Sequence, residues 1–153
     1  MTNPNRLHLF SGSNGLSVGK PPVLNNDEPS PGWTWETMSE TLEAANVSWK
    51  TYQEADNFDD NGNAWFKSFS EAKPGSSLYD RGMARSADLI ADLDKDLAAG
   101  ALPSVSWIVG PANVSEHATW HPAAGEDFTA RILATIQKYP DVYAKTVIIL
   151  NCS

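Results

Sequence analysis

The chain has 153 residues, enough for one ordinary domain with a hydrophobic core, and its 41% hydrophobic content is typical of globular proteins. A formal net charge of −8, with no block among its 11 Lys and Arg residues, argues against a nucleic-acid partner, since phosphate-backbone binding requires clustered cations. The single cysteine, Cys152, excludes an internal disulfide, and we find neither a signal-peptide pattern nor a membrane-length apolar run, so the compartment stays open.

The first third of the chain contains little regular pattern. Leu7, Leu9 and Phe10 alternate with polar residues and predict a short strand, in which His8 is most simply structural. Residues 11–33 are rich in Gly and Pro and predict an irregular loop. A phosphate loop is a poor interpretation of its glycines, because no Gly-Lys-Ser/Thr sequence follows them.

The next segment predicts a helix followed by a strand. From Thr34 onward, apolar residues recur at spacings of three and four, at Trp35, Met38, Leu42 and Ala45. Glu36 would then lie in the first turn, and Asn46 would end the helix in a left-handed conformation. Residues 47–52 alternate between apolar and polar types, which is typical of a strand.

Residues 56–63 match the first half of a calcium-binding loop. The match fails at the twelfth position, where Ser68 stands in place of a bidentate Glu. We therefore predict a solvated turn here, followed by an aromatic segment at 64–69 that packs the loop onto the body of the protein.

The second half predicts alternating helices and strands. Within residues 78–99 one helical face carries Leu89, Ile90, Leu93 and Leu97, and the helix ends before Gly100. A buried strand follows at 105–109, then a helix at 125–138 with Phe128, Ile132, Leu133 and Ile136 facing inward. A short helical turn begins at Pro140, and residues 146–150 predict a second buried strand. Strand, helix and strand over this distance predict a right-handed unit with parallel strands.

A polar loop follows the strand at 105–109 and contains Glu116, His117 and His121. Ligands of open α/β sheets bind beyond the carboxyl ends of strands, so this loop is a candidate site. Three interpretations stay open: a zinc pair formed by the two histidines on a helix, single side chains that contact a phosphate or a metal, and loop histidines that are only hydrogen-bonded. No Gly-x-Ser-x-Gly nucleophile motif is present, Cys152 is a poor nucleophile candidate, and spacing alone leaves the function undecided.

Five segments together carry a resemblance to a known family: 4–12 (Pro-Asn-Arg-Leu-His-Leu-Phe-Ser-Gly), 34–53, 56–58 (Asp-Asn-Phe), 102–109 with 115–117 (Ser-Glu-His), and 145–150 (Lys-Thr-Val-Ile-Ile-Leu). In this order they resemble the phosphoesterase family of bacterial and fungal non-haemolytic phospholipase C enzymes and related acid phosphatases, whose fold is like that of alkaline phosphatase. The resemblance covers nearly the whole chain.

The resemblance implies a fold and an activity. The fold is of the α/β class, a partial three-layer α/β/α sandwich with a mostly parallel sheet that is incomplete at both ends, and residues 1–153 form a single truncated phosphoesterase domain. The activity is hydrolysis of phosphoric esters by a Ser or Thr nucleophile and a bound divalent metal of unknown identity. The implied substrate is a phospholipid or another phosphate monoester or diester.

Site residues follow from the resemblance position by position. Thr2 precedes the Pro-Asn-Arg motif, where the family nucleophile is expected, and Asn5 and Arg6 bind phosphate beside it. Glu116 and His117 match the family's Ser-Glu-His loop, so His117 is expected to be catalytic and Glu116 to bind substrate. His121 is a further candidate phosphate-binding residue.

Departures from the family pattern limit these expectations. Family members carry an upstream Glu-Asn metal motif and an Asp-rich run after the strand that matches 146–150, where this chain has Asn-Cys-Ser. We therefore expect a central fragment that lacks most metal ligands, turns over negligibly by itself and self-associates through exposed sheet edges. The alternatives are a non-catalytic remnant that binds phosphate or a partner, and a sugar- or nucleotide-binding α/β domain.

Overall fold

The computed structural model describes residues 1–151, so the expectations for Cys152 concern a residue outside the described part. Two compact units divide the chain: 1–51 with 61–84 and Asn151, and 52–60 with 85–150. The helices and strands, in chain order, are α1 (Thr2–Ser11), α2 (Met38–Ala44), β1 (Trp49–Gln53), α3 (Lys67–Ser70), α4 (Ser77–Gly82), α5 (Leu89–Ala98), β2 (Val105–Val109), α6 (Pro122–Gln137) and α7 (Pro140–Tyr143). Along residues 1–151, no helix combines the length and apolar character that crossing a membrane requires.

The two strands form a parallel sheet. β1 and β2 are hydrogen-bonded neighbours, and the chain between them contains α5, which supplies the crossover that parallel strands need. The predicted α/β class is therefore confirmed. β2 has the predicted limits, but its predicted burial is wrong, since of its five residues only Val109 is buried. The parallel unit that forms is β1–α5–β2. The sequence pattern instead predicted a unit made of the strand at 105–109, the following helix and a strand at 146–150.

Burial of one face of α5 organises the core of the second unit. Leu89, Leu93 and Leu97 are buried at helical spacing and pack with Tyr52 of β1 and Ile136 of α6. This face was predicted, as were the inward positions of Phe128 and Ile132 on α6, which pack against the same cluster.

The helical region predicted within 78–99 is divided into two helices, α4 and α5. Asp88 begins α5, since its Oδ1 accepts hydrogen bonds from the backbone N–H groups of Ile90 at 3.0 Å and Ala91 at 2.9 Å. Gly100, in the left-handed region with φ 64°, follows the helix as the sequence indicated.

The start of the chain corrects a prediction. Residues 2–11 form a helix, α1, instead of a strand. The buried side chains are Asn3, Leu7 and Phe10, which are four and three residues apart, whereas Leu9 is 42% exposed. Because a helix buries positions at this spacing, the local alternation of Leu7 and Leu9 was misleading. His8, assigned to the strand, is exposed on α1.

The helix predicted from Thr34 begins later, as α2. Thr37 caps it, because its Oγ1 accepts from the Glu40 N–H at 3.1 Å while Glu40 Oε2 accepts from the Thr37 N–H at 2.9 Å. Glu40, and not Glu36, is therefore the acidic residue of the first turn. Asn46 has φ 56°, which confirms the predicted left-handed end.

The turn at 56–63 is only partly solvated, contrary to the prediction. In the first unit, Asn61 Nδ2 donates to the Gly82 carbonyl at 2.8 Å, and Asn63 Oδ1 accepts from Ser39 Oγ at 3.0 Å. Both amides are buried, and their hydrogen bonds offset the cost of removing these polar groups from water. The aromatic segment that follows packs inward as predicted, with Trp65, Phe66 and Phe69 buried.

Residues 146–150 form no strand, and their predicted burial is wrong. Val147 is 85% exposed, Ile149 77% and Leu150 70%. A strand requires a backbone neighbour, and within residues 1–151 this run has no sheet pairing with β1 or β2. The result is an exposed apolar run at 147–150.

Candidate functional site

The predicted site residues lie in both units and are described unit by unit. Thr2, Asn5 and Arg6 belong to α1 in the first unit. The loop between β2 and α6, in the second unit, carries Glu116, His117 and His121.

Thr2 is the first residue of α1 and is half-buried. Helix N-termini attract anions, because their first backbone N–H groups have no partner within the helix. In this first turn, Pro4 has no N–H and the Asn3 N–H donates to Asn26 Oδ1 at 3.1 Å. The Thr2 N–H and hydroxyl are therefore the donors that this helix end can offer an anion.

Asn5 and Arg6 follow Thr2 by three and four residues. This spacing places the three side chains on one side of α1, away from the buried positions Asn3 and Leu7. Asn5 is exposed and Arg6 is half-buried. A hydroxyl, an amide and a guanidinium on one side of the positive helix end suit a phosphate group.

Asn3 supports this helix end, and sequence reasoning missed it. Its Nδ2 donates to the Asn26 carbonyl and to Glu28 Oε1, both at 3.1 Å. These bonds tie the irregular segment to the first turn of α1. The spacing of four residues between Asn3 and Leu7 could have indicated a buried helical face. It was not considered because a strand was predicted here.

The loop after β2 is held by local hydrogen bonds. It contains a 3₁₀ turn at Ala112–Val114, and the Ala112 N–H donates to Asp56 Oδ2 at 3.2 Å. Ser115 Oγ donates to the Ala112 carbonyl at 2.7 Å and accepts from the His117 N–H at 3.3 Å. The backbone that leads to His117 is therefore fixed on both sides of Glu116.

Glu116 lies against the first turn of α6. Its backbone is left-handed, with φ 59°, and a Cβ atom added at Gly125 would overlap its Oε1 and Cγ atoms. Gly125 therefore leaves room for the side chain. A carboxylate at a helix N-terminus is favourable, which gives Glu116 a structural contact besides any contact with substrate.

His117 is exposed, and its ring contacts an aromatic side chain. The imidazole and Phe58 ring centroids are 5.3 Å apart, with an angle of 55° between the ring planes. The carbonyl of His117 accepts from the Trp120 N–H at 2.7 Å. Phe58 was not singled out from the sequence, because nothing in the local pattern connects positions 58 and 117.

His121 caps α6, so the two histidines do not form a helical zinc pair. Its Nδ1 accepts from the Ala123 N–H at 3.2 Å, and its carbonyl accepts from the Ala124 N–H. A neutral His121 with Nδ1 as acceptor carries its proton on Nε2. His117 precedes the helix, so the i,i+4 geometry that a helical pair requires is not formed.

The described residues do not fit a metal centre. Within residues 1–151, no three His, Cys, Asp or Glu side chains are grouped so that they could hold a metal ion.

A groove of about 480 Å³ in the first unit is a poor phosphate site. Its lining includes Glu36, Glu40 and Glu71, and its one cation, Lys67, lies 3.9 Å from Glu71. Carboxylates repel phosphate, and none of the predicted site residues lines this groove.

The structure is thus that of an α/β protein in which Thr2 lies at the positive end of α1. A family model, the Phosphoesterase family, matches residues 1–152, and the chain belongs to this family. It is 40% identical to the non-hemolytic phospholipase C of Pseudomonas aeruginosa over 157 residues, which covers 97% of this chain and 22% of that protein. It is also 34% identical to the non-hemolytic phospholipase C of Burkholderia pseudomallei over 98% of this chain and 25% of that protein.

Similarity extends to a third organism. Phospholipase C B of Mycobacterium tuberculosis is 31% identical over 98% of this chain and 30% of its own length. The chain spans less than a third of the length of these curated relatives. The predicted family is confirmed.

Proposed function

We propose that this chain is part of a phosphoric ester hydrolase of the phospholipase C type, within a single phosphoesterase domain. The observation that carries the proposal is the place of Thr2 at the positive end of α1, with Asn5 and Arg6 three and four residues later. Family membership supports the same reaction class. The substrate is a phospholipid or another phosphate ester, in keeping with the names of the relatives.

Thr2 acts as the nucleophile in this proposal. Its Oγ1 forms a bond to phosphorus, the bond from phosphorus to the alcohol oxygen breaks, and the hydroxyl proton passes to solvent. Water then hydrolyses the bond from Thr2 to phosphorus, which releases phosphate when the substrate is a monoester and the head-group phosphomonoester when it is a phospholipid. The Thr2 N–H and the Arg6 guanidinium stabilise the negative charge on the phosphoryl oxygens.

His117 donates the proton that the departing alcohol needs. Imidazole is suited to this task because its ring nitrogens can both donate and accept a proton, and His117 is exposed to solvent. Glu116 and His121 contribute to substrate binding besides their contacts with α6. These roles are assigned from chemistry and from the family motif.

A divalent metal, which the family resemblance implies, would polarise the phosphoryl oxygens and activate the hydroxyl. Since residues 1–151 hold no suitable group of ligands, we place those ligands outside them. We propose that this chain alone turns over negligibly. The second candidate function is a non-catalytic protein that binds phosphate or a partner. It is favoured by the same finding, that residues 1–151 hold no suitable group of metal ligands.

One experiment separates the two candidates. The chain is grafted into the P. aeruginosa relative in place of the matching segment, and hydrolysis of nitrophenyl phosphorylcholine is measured for the graft and for this chain alone. A folded graft that hydrolyses the ester supports the hydrolase. A folded graft that binds the ester without hydrolysing it supports the non-catalytic candidate.

We extend the proposal to self-association. The apolar run 147–150 is exposed. Exposed apolar runs favour association between copies of a chain.

A further inference from the structure

The turn at residues 56–60 holds an aromatic ring at the surface. Phe58 and Asp59 both have left-handed backbones, with φ of 52° and 54°, a conformation that residues other than Gly, Asn and Asp rarely adopt. The Phe58 N–H donates to Asp56 Oδ1 at 3.2 Å. Phe58 is 39% exposed, so burial of its ring in the core does not compensate for the cost of this backbone.

The same carboxylate joins this turn to the loop after β2. While Oδ1 of Asp56 accepts from Phe58, Oδ2 accepts from the Ala112 N–H at 3.2 Å. Ala112 begins the 3₁₀ turn that leads to His117. Asp56 therefore fixes the distance between two segments that are more than fifty residues apart in the chain.

The Phe58 ring meets the imidazole of His117 at this junction. The ring centroids are 5.3 Å apart, and the backbone of His117 is fixed by Ser115 Oγ and by the Trp120 N–H. Over the described residues, neither imidazole nitrogen of His117 has a hydrogen bond, so the aromatic contact restricts the side-chain rotamer.

We propose that Phe58, held by Asp56, is a positioning residue that orients the imidazole of His117 towards a phosphate ester. The proposal rests on the proposed function, because it takes His117 as the proton donor. Orientation matters since small misplacements of a catalytic group reduce its effect strongly. Phe58 contacts the imidazole and needs no contact with the phosphate itself.

The test uses this chain and nuclear magnetic resonance of the His117 ring protons. In the native chain we expect ring–ring Overhauser effects with Phe58, an upfield shift of the imidazole protons, and a perturbation of these signals by phenylphosphonate, a non-hydrolysable phosphate-ester analogue. Phe58→Leu should lose all three effects, and Phe58→Tyr should retain them. Tyr143→Leu, an exposed aromatic on α7, is the matched control and should change none.

Each outcome is decisive. If Phe58→Leu keeps the imidazole shift and the response to phenylphosphonate, Phe58 does not position His117 and the inference is wrong. If Phe58→Leu loses the shift but the analogue perturbs His117 as in the native chain, the contact is structural only, which also overturns the inference. If the analogue leaves the native His117 signals unchanged, the proposed role of His117 fails, while the Overhauser effects still report the contact.

Discussion

The side chain of Glu116 fills the space beside Gly125, where a Cβ atom would overlap its Oε1 atom. This relationship makes the effect of Gly125→Ala depend on residue 116. Alanine favours a helix interior by about 0.5–1 kcal/mol relative to glycine, but here it must displace Glu116.

We predict that Gly125→Ala raises the free energy of unfolding by about 0.5–1 kcal/mol when Glu116 is replaced by Ala, and raises it less, or lowers it, when Glu116 is present. Chemical denaturation of the four variants of this double-mutant cycle measures the coupling. Additive effects of the two substitutions would show that the side chains do not compete for this space.

The buried hydroxyl of Tyr52 leads to a prediction about stability at alkaline pH. It donates to Asp96 Oδ2 at 2.7 Å, and burial, reinforced by this carboxylate, raises the pKa of Tyr52 well above 10. A raised pKa in the folded state means that the stabilisation is complete below pH 10 and is lost as the pH rises further. We expect the native chain to lose stability above about pH 10 more steeply than Tyr52→Phe does.

Removal of the Tyr52 hydroxyl also has a cost at neutral pH. Tyr52→Phe should lower the free energy of unfolding by about 1–3 kcal/mol, the range for hydrogen bonds to charged groups and for buried groups left unpaired. Tyr143→Phe, at an exposed tyrosine, is the control. Denaturation curves at pH 7 and pH 10.5 measure both effects, and equal pH dependence in the native chain and Tyr52→Phe would contradict the prediction.

Glu43 leads to a corresponding prediction about stability at acidic pH. Burial alone would raise its pKa, but hydrogen bonds from Ser77 and Trp49 and the nearby Arg81 together hold the pKa of Glu43 below 4.5. A lowered pKa in the folded state means that the stabilisation is present above pH 4.5 and is lost as the pH falls through the folded value. The Arg81 Nη1 atom lies 2.6 Å from Glu43 Oε2.

Glu43→Gln should therefore lower stability slightly at pH 7, by no more than about 1 kcal/mol since the pair is partly exposed. The difference from the native chain should disappear as the pH falls from 4.5 through the lowered pKa of Glu43. Lys67→Gln, which breaks the more exposed pair with Glu71, serves as control. A difference that grew towards low pH would have the wrong sign for this account.

The apolar run 147–150 predicts association between chains. Ile149→Lys should shift sedimentation profiles towards the monomer at high protein concentration, because it places a charge where an apolar side chain is 77% exposed. Leu24→Lys, at another exposed apolar position, controls for the added charge. Unchanged association in Ile149→Lys would place the contact elsewhere.

Sequence patterns predicted the elements whose burial is periodic. The apolar face of α5 was evident because its buried residues repeat at helical spacing. α1 was missed since only three of its residues are buried, and one of them is the polar Asn3. Residues 146–150 have a strand composition, but composition does not supply the neighbour that a strand needs.

The sequence likewise predicted some residues of the candidate site and missed others. Thr2 and His117 were predicted through family motifs, which record short stretches of chain. Phe58 beside His117 and Gly125 beneath Glu116 were missed, because these contacts join segments that are distant in sequence or depend on one left-handed residue. Pattern reasoning carries no information about either relationship.

The most direct measurement is the hydrolysis of nitrophenyl phosphorylcholine by the grafted protein when Thr2 is changed. Thr2→Ala should reduce kcat by at least about 10³-fold, as expected on removal of a nucleophile, and Thr2→Ser should retain part of the activity. Thr41→Ala, an exposed threonine on α2 whose hydroxyl bonds its own helix backbone, should be unchanged. Full activity in Thr2→Ala would contradict the assignment of Thr2 as the nucleophile.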